Sequence, residues 1–225
     1  MASSSTPDVW QSTFQDIGQS LIDTTFVVVD LETTGGAPHL GAAITEIGAI
    51  KVKGGVTLQE FSSLINPGHT VPSYITALTG ITDEMLFQSP SIEQVLPDFL
   101  DFLGSANQTV FVAHNAPFDL SFLTYAARLH GRTWPRYPVL DTAILSRRLL
   151  DRDEVPNCRL STLAAYFETE TTPNHRALDD ARATLTIFYR LLERCGGLDI
   201  YTLEELLNFA KRMKRKSPES KPPSD

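Results

Sequence analysis

A change of rhythm along the chain constrains its fold more than any other feature of the sequence. The first third carries three β-type segments in close succession: FVVVDLE (residues 26–32), ITEIGAIKV (44–52) and VTLQEFSSLI (56–65). The Gly54-Gly55 turn joins the last two, which predicts a three-strand meander. Further along, short apolar runs alternate with stretches of helical period. A meander followed by strand–helix alternation predicts a mixed α/β fold with helices on both faces of a five-stranded sheet.

The remaining elements follow from the same patterns. Residues 66–82 contain two prolines and two glycines, which predicts a loop with one short helix. A turn is expected at Ala116-Pro117. Further strands are predicted at 109–114 and 138–142, and helices at 91–103, 118–130, 141–150, 160–167, 177–192 and 202–213.

Composition predicts one domain with polar ends. With 42% hydrophobic residues among 225, the chain can bury a sizeable core. Residues 1–22 are predicted to be disordered or loosely packed, 23–210 to form the domain, and 211–225 to be a basic, Pro/Ser-rich disordered tail. The apolar runs are too short to cross a bilayer and the start lacks a leader pattern, so a soluble cytoplasmic protein is expected. Cys158 and Cys195 lack metal-site spacing and are interpreted as core or bystander thiols.

The charge is strongly polarised along the chain. Residues 1–127 hold two basic and 13 acidic side chains, whereas residues 128–225 hold 17 basic and 14 acidic ones. The net charges of the two parts are therefore −11 and +3. A tight duplex binder displaces counterions with a basic stripe, so any nucleic-acid contact here is expected to be local and metal-assisted. Concentrated carboxylates are what a divalent-cation site requires.

Three acidic constellations are candidates for chemistry. Asp30 and Glu32 stand two positions apart on a strand, so both carboxylates point to one face. Asp119 falls in the first turn of the helix after the fourth strand, where the helix dipole alone would explain it. His175 precedes a late helix that contains Asp180. Taken singly, each has a structural explanation: a solvated strand end, a helix-terminus charge, and a surface histidine.

The joint arrangement favours a metal site. In α/β sheets the carboxyl ends of strands meet at one crevice. Four carboxylates without Lys or Arg among them would bind two divalent ions, and hard oxygen ligands select Mg²⁺ or Mn²⁺. Such a pair stabilises both the entering and the leaving oxygen of an in-line phosphoryl displacement.

The segments FVVVDLETTG, FVAHNAPFDLSFL and NHRALDDA resemble the three motifs of the DEDDh (DnaQ-like) 3′–5′ exonucleases, the group that contains the proofreading epsilon subunit of bacterial DNA polymerase III. The resemblance covers about residues 25–192. It implies a ribonuclease-H-like fold and two Mg²⁺ ions, with Mn²⁺ able to substitute. It also implies that Asp30, Glu32, Asp119 and Asp180 are the metal-binding carboxylates and that His175 is the general base. The implied reaction releases nucleoside 5′-monophosphates from a 3′ end.

The resemblance also implies contacts to the terminal nucleotide. The implied substrate-binding residues are Leu31, Thr33, Thr34, Thr79, His114, Asn115 and Phe118. Thr79 is a departure, because the epsilon subunit has a His before the corresponding Gly-Ile. Glu46 is either a support for the metal ligands or a satisfied strand residue, and the sequence leaves both interpretations open.

The C-terminal stretch GGLDIYTLEELLNFAKR is similar to that of exonuclease modules that precede a GIY-YIG endonuclease in some actinobacterial repair proteins. The chain is therefore either a standalone protein or part of a longer one. Single-stranded or frayed DNA 3′ ends are the expected substrate, in repair or proofreading, with RNA trimming or oligoribonuclease activity as the alternative. A polymerase or repair partner, no membrane and a monomeric state are expected. A non-enzymatic partner-binding module, with the acidic half as its interface, is the third hypothesis.

Overall fold

The computed structural model describes residues 18–211. Its sheet has the order β3-β2-β1-β4-β5. The strands are β1 (Thr25–Thr33), β2 (Ile44–Lys53), β3 (Val56–Leu64), β4 (Thr109–Ala113) and β5 (Val139–Asp141). The first three strands form an antiparallel meander, and β4 and β5 add in parallel to the other edge of β1. The predicted mixed five-stranded sheet is confirmed.

Eight α-helices surround the sheet within the described part of the chain. They are α1 (Ser73–Thr79), α2 (Asp83–Phe87), α3 (Ile92–Leu103), α4 (Ala116–Leu129), α5 (Thr142–Leu149), α6 (Leu160–Tyr166), α7 (Ala177–Gly196) and α8 (Leu203–Lys211). Helix α2 was not predicted. The predicted turn at Ala116-Pro117 is wrong, because α4 already begins at Ala116. Proline is favoured in the first turn of a helix, and the residue before the helix, Asn115, has a left-handed φ of 70°.

Strand alternation divides the core into two layers. Val27 and Val29 of β1 face a layer that includes α3 and α4, whereas Phe26 and Val28 face a layer that includes α5, α6, α7 and α8. Both layers are closed to solvent at β1, because Val27, Val28 and Val29 have no exposed surface. Burying apolar side chains on both faces stabilises β1 as a central strand. Cys195 is buried in the second layer and Cys158 is partly exposed, and both are free thiols.

The two ends of the described chain meet. Ser20 forms a bridge with Thr202, and the backbone N–H of Leu21 donates to the carbonyl oxygen of Tyr201 at 3.0 Å. Residues 18–22 of the predicted N-terminal segment therefore lie beside the start of α8. Residues 1–17 and 212–225, which carry most of the two terminal predictions, lie outside the described residues. Between residues 18 and 211, no helix has the length and apolar character needed to cross a bilayer.

The register of the sheet opens a crevice at one end of β1. β4 pairs with β1 only as far as Val28 and Val112, whereas β1 continues to Thr33 beside β2. The second half of β1 therefore has one edge that β4 does not cover. Helices that follow β4 and β5 begin at this end of the sheet, so their first turns face the uncovered edge.

Candidate active site

The cleft at the end of β1 has a volume of about 350 Å³. Asp30 and Glu32 line it from the strand. Leu31, between them, packs into the layer that includes α3 and α4, so the two carboxylates point toward α7 on the other side of the sheet. The strand thus delivers two acidic side chains to one place because its apolar neighbours fix the backbone.

Asp119 reaches the cleft from the first turn of α4. Its side chain is only 3% exposed. The backbone N–H groups of Asp119 itself and of Leu31 favour its ionised form. Burial is the larger effect, and it raises the pKa of Asp119 well above its usual range. The helix dipole interpretation and the metal-ligand interpretation are therefore compatible.

His175 and Asp180 come from the loop before α7 and from its first turn. The Asn174 backbone N–H donates to Oδ1 of Asp180 at 2.9 Å, which closes the loop over the helix start. His175 adopts a left-handed φ of 60° and is exposed to the cleft. One ligand atom each from Glu32, His175 and Asp180 lies within 4.8 Å of the others. Residues almost 150 positions apart are thus brought together.

Gly48 allows α7 to approach this closely. It pairs with Asp30 across β1 and β2, and paired residues of antiparallel strands point to the same face. A Cβ atom at Gly48 would lie 2.2 Å from the Ala177 carbonyl carbon and 2.2 Å from the Leu178 nitrogen. The start of α7 therefore packs on bare backbone next to Asp30. The sequence interpretation missed this residue, because a single Gly in a strand does not reveal which backbone approaches it.

Glu46 anchors the segment that carries His175 and Asp180. Its carboxylate accepts hydrogen bonds from Nη2 (2.8 Å) and Nε (3.1 Å) of Arg176 and from the Ala177 backbone N–H (3.0 Å). The Glu46 side chain is 3% exposed. When two guanidinium nitrogens donate to one carboxylate, the hydrogen bonds fix the relative orientation of the two groups in addition to pairing their charges. Glu46 thus holds the start of α7 against β2.

The carboxyl groups of the acidic centre raise one another's pKa. Burial is the main cause that raises the pKa of Asp30, and the charges of Asp119, Asp180 and Glu32 raise it further. The pKa of Glu32 rises from 4.5 to about 8, through burial first and then Asp180 and Glu46, although Arg176 opposes the rise. Within residues 18–211 no Lys or Arg forms an ion pair with the four predicted metal-binding carboxylates.

This donor set fits divalent metal ions. Buried carboxylates repel one another unless protons or a cation neutralise them, and an oxygen-rich set with one imidazole suits Mg²⁺ or Mn²⁺. The charges of Asp119, Asp180 and Glu32 each act on Asp30, which therefore lies among the other three carboxylates.

The predicted substrate-binding residues divide into two groups. Those that line the cleft are Leu31, Thr33, Thr79, His114 and Phe118. Thr34 and Asn115 are not part of the lining. The Thr34 hydroxyl accepts from the Ala43 backbone N–H at 2.9 Å, and the Asn115 N–H donates to Asp141 at 3.2 Å. In the structure, both residues hold loops beside the cleft.

Other residues of the site had no clear signal in the sequence. Tyr74 and Leu78 of α1 line the cleft and are 65% and 53% exposed. Such exposed apolar side chains beside an acidic centre offer a surface for a nucleobase. Asp141 ends β5 and caps α5, where it accepts from the backbone N–H groups of Ala143 and Ile144 as well as from Asn115. The sequence predicts a strand at this position and gives no indication of the capping role.

The comparisons with known proteins agree with this geometry. Residues 27–188 match the RNase_T exonuclease family, and the chain belongs to it. It is 49% identical over 214 residues to a Mycobacterium tuberculosis protein that is predicted to be a bifunctional exonuclease/endonuclease, covering 90% of this chain and 33% of that one. It is 38% identical over 192 residues to the DNA polymerase III epsilon subunit of Aquifex aeolicus, covering 83% of this chain and 92% of that one.

Solved structures show the same fold. Exonuclease X in complex with 5′-overhanging duplex DNA superimposes with a TM-score of 0.63 at 25% identity, covering 82% of this chain and 99% of that one. The nuclease domain of 3′hExo, a DEDDh family member bound to rAMP, gives a TM-score of 0.63 at 19% identity, covering 78% and 94%. The ribonuclease-H-like fold and the resemblance to DEDDh exonucleases are thereby confirmed.

The chain is therefore a member of the DnaQ/RNase T family of exonucleases. It spans one third of the M. tuberculosis relative's length. The non-enzymatic hypothesis has no support from the site, which holds a full set of acidic side chains and a histidine.

Proposed function

We propose that the chain is a metal-dependent 3′–5′ exonuclease that removes nucleotides from single-stranded or frayed DNA, in repair or proofreading. The observation that carries this proposal is the convergence of Asp30, Glu32, Asp119, His175 and Asp180 in one cleft. The identity with an epsilon subunit over almost all of that subunit's length favours DNA and a polymerase or repair partner.

Asp30, Glu32, Asp119 and Asp180 would hold two divalent ions. When bound, such ions supply Lewis acidity at the scissile phosphate and a nucleophilic water at neutral pH. The proton transfer would be carried out by a side chain of the protein. His175 stands at the open side of the cleft, next to Glu32 and Asp180, where it accepts the proton of the attacking water. The backbone of His175 is held on one side by the hydrogen bond from Asn174 to Asp180 and on the other by the hydrogen bond from the Ala177 N–H to Glu46.

The terminal nucleotide would lie between β1 and α1. Thr33 and Leu31 line one wall, and Tyr74 and Leu78 the other. Apolar and aromatic side chains accept any base, so shortening would not depend on sequence. The Thr79 hydroxyl donates to the Ile75 carbonyl oxygen at 3.0 Å and accepts from the Ile81 N–H at 3.1 Å. Both bonds are to backbone groups of α1 or of the residues just after it, which limits the role of Thr79 to shaping the wall.

His114 would act as a neutral wall residue. Burial lowers its pKa, and the charge of Arg147 lowers it further, against Asp141 and the Cys158 carbonyl. Nε2 lies 3.1 Å from the Cys158 carbonyl oxygen, which only accepts, so Nε2 carries the proton. Nδ1 then accepts from the Thr142 hydroxyl at 2.9 Å. This pair of bonds fixes the ring at the end of β4.

A digestion experiment tests the proposal. Single strands labelled at the 5′ end should shorten stepwise in Mg²⁺ or Mn²⁺ and release nucleoside 5′-monophosphates, and the reaction should stop with chelator. Asp30→Asn should be inactive, whereas Asp199→Asn, on a turn at the far end of α7, should match the wild type. Shortening from the 5′ end, or equal activity of Asp30→Asn, would refute the proposal. Matched RNA strands in parallel decide between the DNA activity and the exoribonuclease alternative.

We also propose that the protein works in the cytoplasm, where genome maintenance takes place in bacteria such as those that carry its relatives. Fractionation of cells that express the tagged chain checks this: the activity should be in the soluble fraction, and recovery with the membranes would contradict it.

A further inference from the structure

A second pocket opens beside the catalytic cleft. It has a volume of about 780 Å³ and lies in the connection between α5 and α6. Its lining consists of Arg147, Leu150, Asp151, Arg152, Asp153, Val155, Pro156, Asn157, Cys158 and Arg159. None of the residues predicted from the sequence to act on the substrate belongs to this lining.

The catalytic cleft and the second pocket share a wall. The His114 ring lines the catalytic cleft, and its Nε2 lies 3.1 Å from the Cys158 carbonyl oxygen, which belongs to the second pocket. Arg147 is close enough to His114 for its charge to act on that ring. One imidazole therefore separates the catalytic centre from the second pocket. A strand whose 3′ end occupies the cleft could continue past His114 into this pocket.

The pocket collects arginines that the fold leaves without acidic partners. Arg147, Arg152 and Arg159 are exposed, and within residues 18–211 none of them forms an ion pair. Three further exposed arginines of the described chain, at 128, 132 and 136, also form no ion pair, but they lie outside this pocket. The arginines at 176, 182, 190 and 194 each pair with a carboxylate. A guanidinium fork matches the geometry of a phosphate group.

Two carboxylates moderate the positive charge. Asp151 and Asp153 also line the pocket, so its five charged side chains sum to +1. An exonuclease that removes one nucleotide at a time has to let the strand slide after each cut. Weak, salt-sensitive phosphate contacts allow this, whereas a strongly basic groove would hold the strand in one register.

We propose that the pocket formed by Arg147, Arg152 and Arg159 binds backbone phosphates of the substrate strand on the 5′ side of the scissile bond. The inference rests on the proposed exonuclease function and adds a binding site to it. The pocket does not discriminate between bases, because its cationic side chains contact the phosphate backbone of the strand. Strands long enough to reach it bind better than short ones.

The test compares two triple variants of equal net charge. Arg147→Gln, Arg152→Gln and Arg159→Gln together remove the pocket's cations. Lys53→Gln, Arg136→Gln and Arg190→Gln remove three exposed cations that lie outside both spaces. The substrates are a 20-nucleotide single strand and the p-nitrophenyl ester of thymidine 5′-monophosphate, whose single phosphate occupies the catalytic cleft only. Binding of the labelled 20-mer is also measured by anisotropy in the presence of chelator.

The pocket variant should raise KM for the 20-mer and leave turnover of the small ester at the wild-type rate. Losing three phosphate contacts on a single strand should reduce the slope of log K against log salt by about 2, so the variant's affinity should vary roughly 15- to 20-fold less between 50 and 200 mM salt. The control triple variant should keep the wild-type KM and most of the wild-type slope. The reverse change, Asp151→Asn with Asp153→Asn, should lower KM for the 20-mer.

Three results would overturn the inference while leaving the exonuclease function intact: an unchanged KM and salt slope in the pocket variant, an equal loss in both triple variants, or a loss of ester turnover together with the loss on the 20-mer. A wild-type protein that shortens neither DNA nor RNA would instead refute the proposed function itself. The two failures are therefore distinguishable.

Discussion

Gly48→Ala should separate the geometry of the site from its chemistry, because Gly48 carries no functional group. Its added Cβ would stand 2.2 Å from backbone atoms of Ala177 and Leu178, and ordinary contact begins near 3.4 Å. The start of α7 must therefore move away from β2 by about 1.2 Å. A displacement of about 1 Å in a catalytic group can cost about 100-fold in rate, and this movement would carry His175 and Asp180.

The overpacking also has a cost in stability. Forcing an extra carbon into a packed interior destabilises a protein by about 1–3 kcal/mol, which for a chain of this size lowers Tm by about 2–12 °C. Turnover should be measured on a 5′-labelled single strand at saturating Mn²⁺, and Tm by calorimetry. The expected variant is folded, less stable and about 100-fold slower.

Gly196→Ala is the matched control at the other end of α7. A Cβ there would make an ordinary contact, 3.7 Å from Cε1 of Tyr201, and alanine favours a helix more than glycine does. Its turnover should equal that of the wild type. A Gly48→Ala protein with unchanged turnover and Tm would refute the idea that this glycine sets the distance between α7 and Asp30.

Three further predictions concern the groups around the metal ligands. Glu46→Gln should lower activity or Mn²⁺ affinity about 10- to 100-fold by releasing Arg176 and the start of α7, whereas Glu60→Gln, which breaks a surface pair with Arg182, should change neither; steady-state kinetics and calorimetric titration measure both. His175→Ala should reduce turnover by about 10²–10⁴-fold and keep the Mn²⁺ affinity, and an equally active variant would require another base. The metal-free protein should lose stability as pH rises. Glu32 holds its proton up to about pH 8 when folded but only to about pH 4.5 when unfolded, so rising pH favours the unfolded chain, by about 2–3 kcal/mol between pH 5 and 7 from this group alone. Mn²⁺ should therefore raise Tm more at pH 7 than at pH 5, and a metal-free Tm that rises over this range would contradict the assignment.

Local patterns in the sequence were sufficient for the strands and for the acidic residues. The β-branched run before Asp30 predicts a buried strand, and period-2 geometry then places Asp30 and Glu32 on one face. Asp119 follows from its place after β4, because a helix that follows a parallel strand begins at the carboxyl end of the sheet. These inferences need only neighbouring residues and the rules of sheet topology.

Tertiary contacts were out of reach of the same patterns. Nothing local links Glu46 to Arg176 across 130 positions, so the sequence alone does not decide between the two interpretations of Glu46, whereas the hydrogen bonds between these two side chains do. Gly48 could equally have marked a bulge. The contact between Leu21 and Tyr201 was hidden by the polar composition around it. Each of these contacts depends on how β2, α7 and the chain ends pack against one another. The periodicity of the sequence does not specify that packing.

Anomalous diffraction from crystals grown with Mn²⁺ should show whether the acidic side chains of β1, α4 and α7 hold divalent ions in one cleft. Two manganese peaks about 4 Å apart are expected, with Asp30 bound to both and with Glu32, Asp119 and Asp180 completing the set. Full Mn²⁺ occupancy elsewhere in the crystal, with no peak among these four carboxylates, would contradict this expectation.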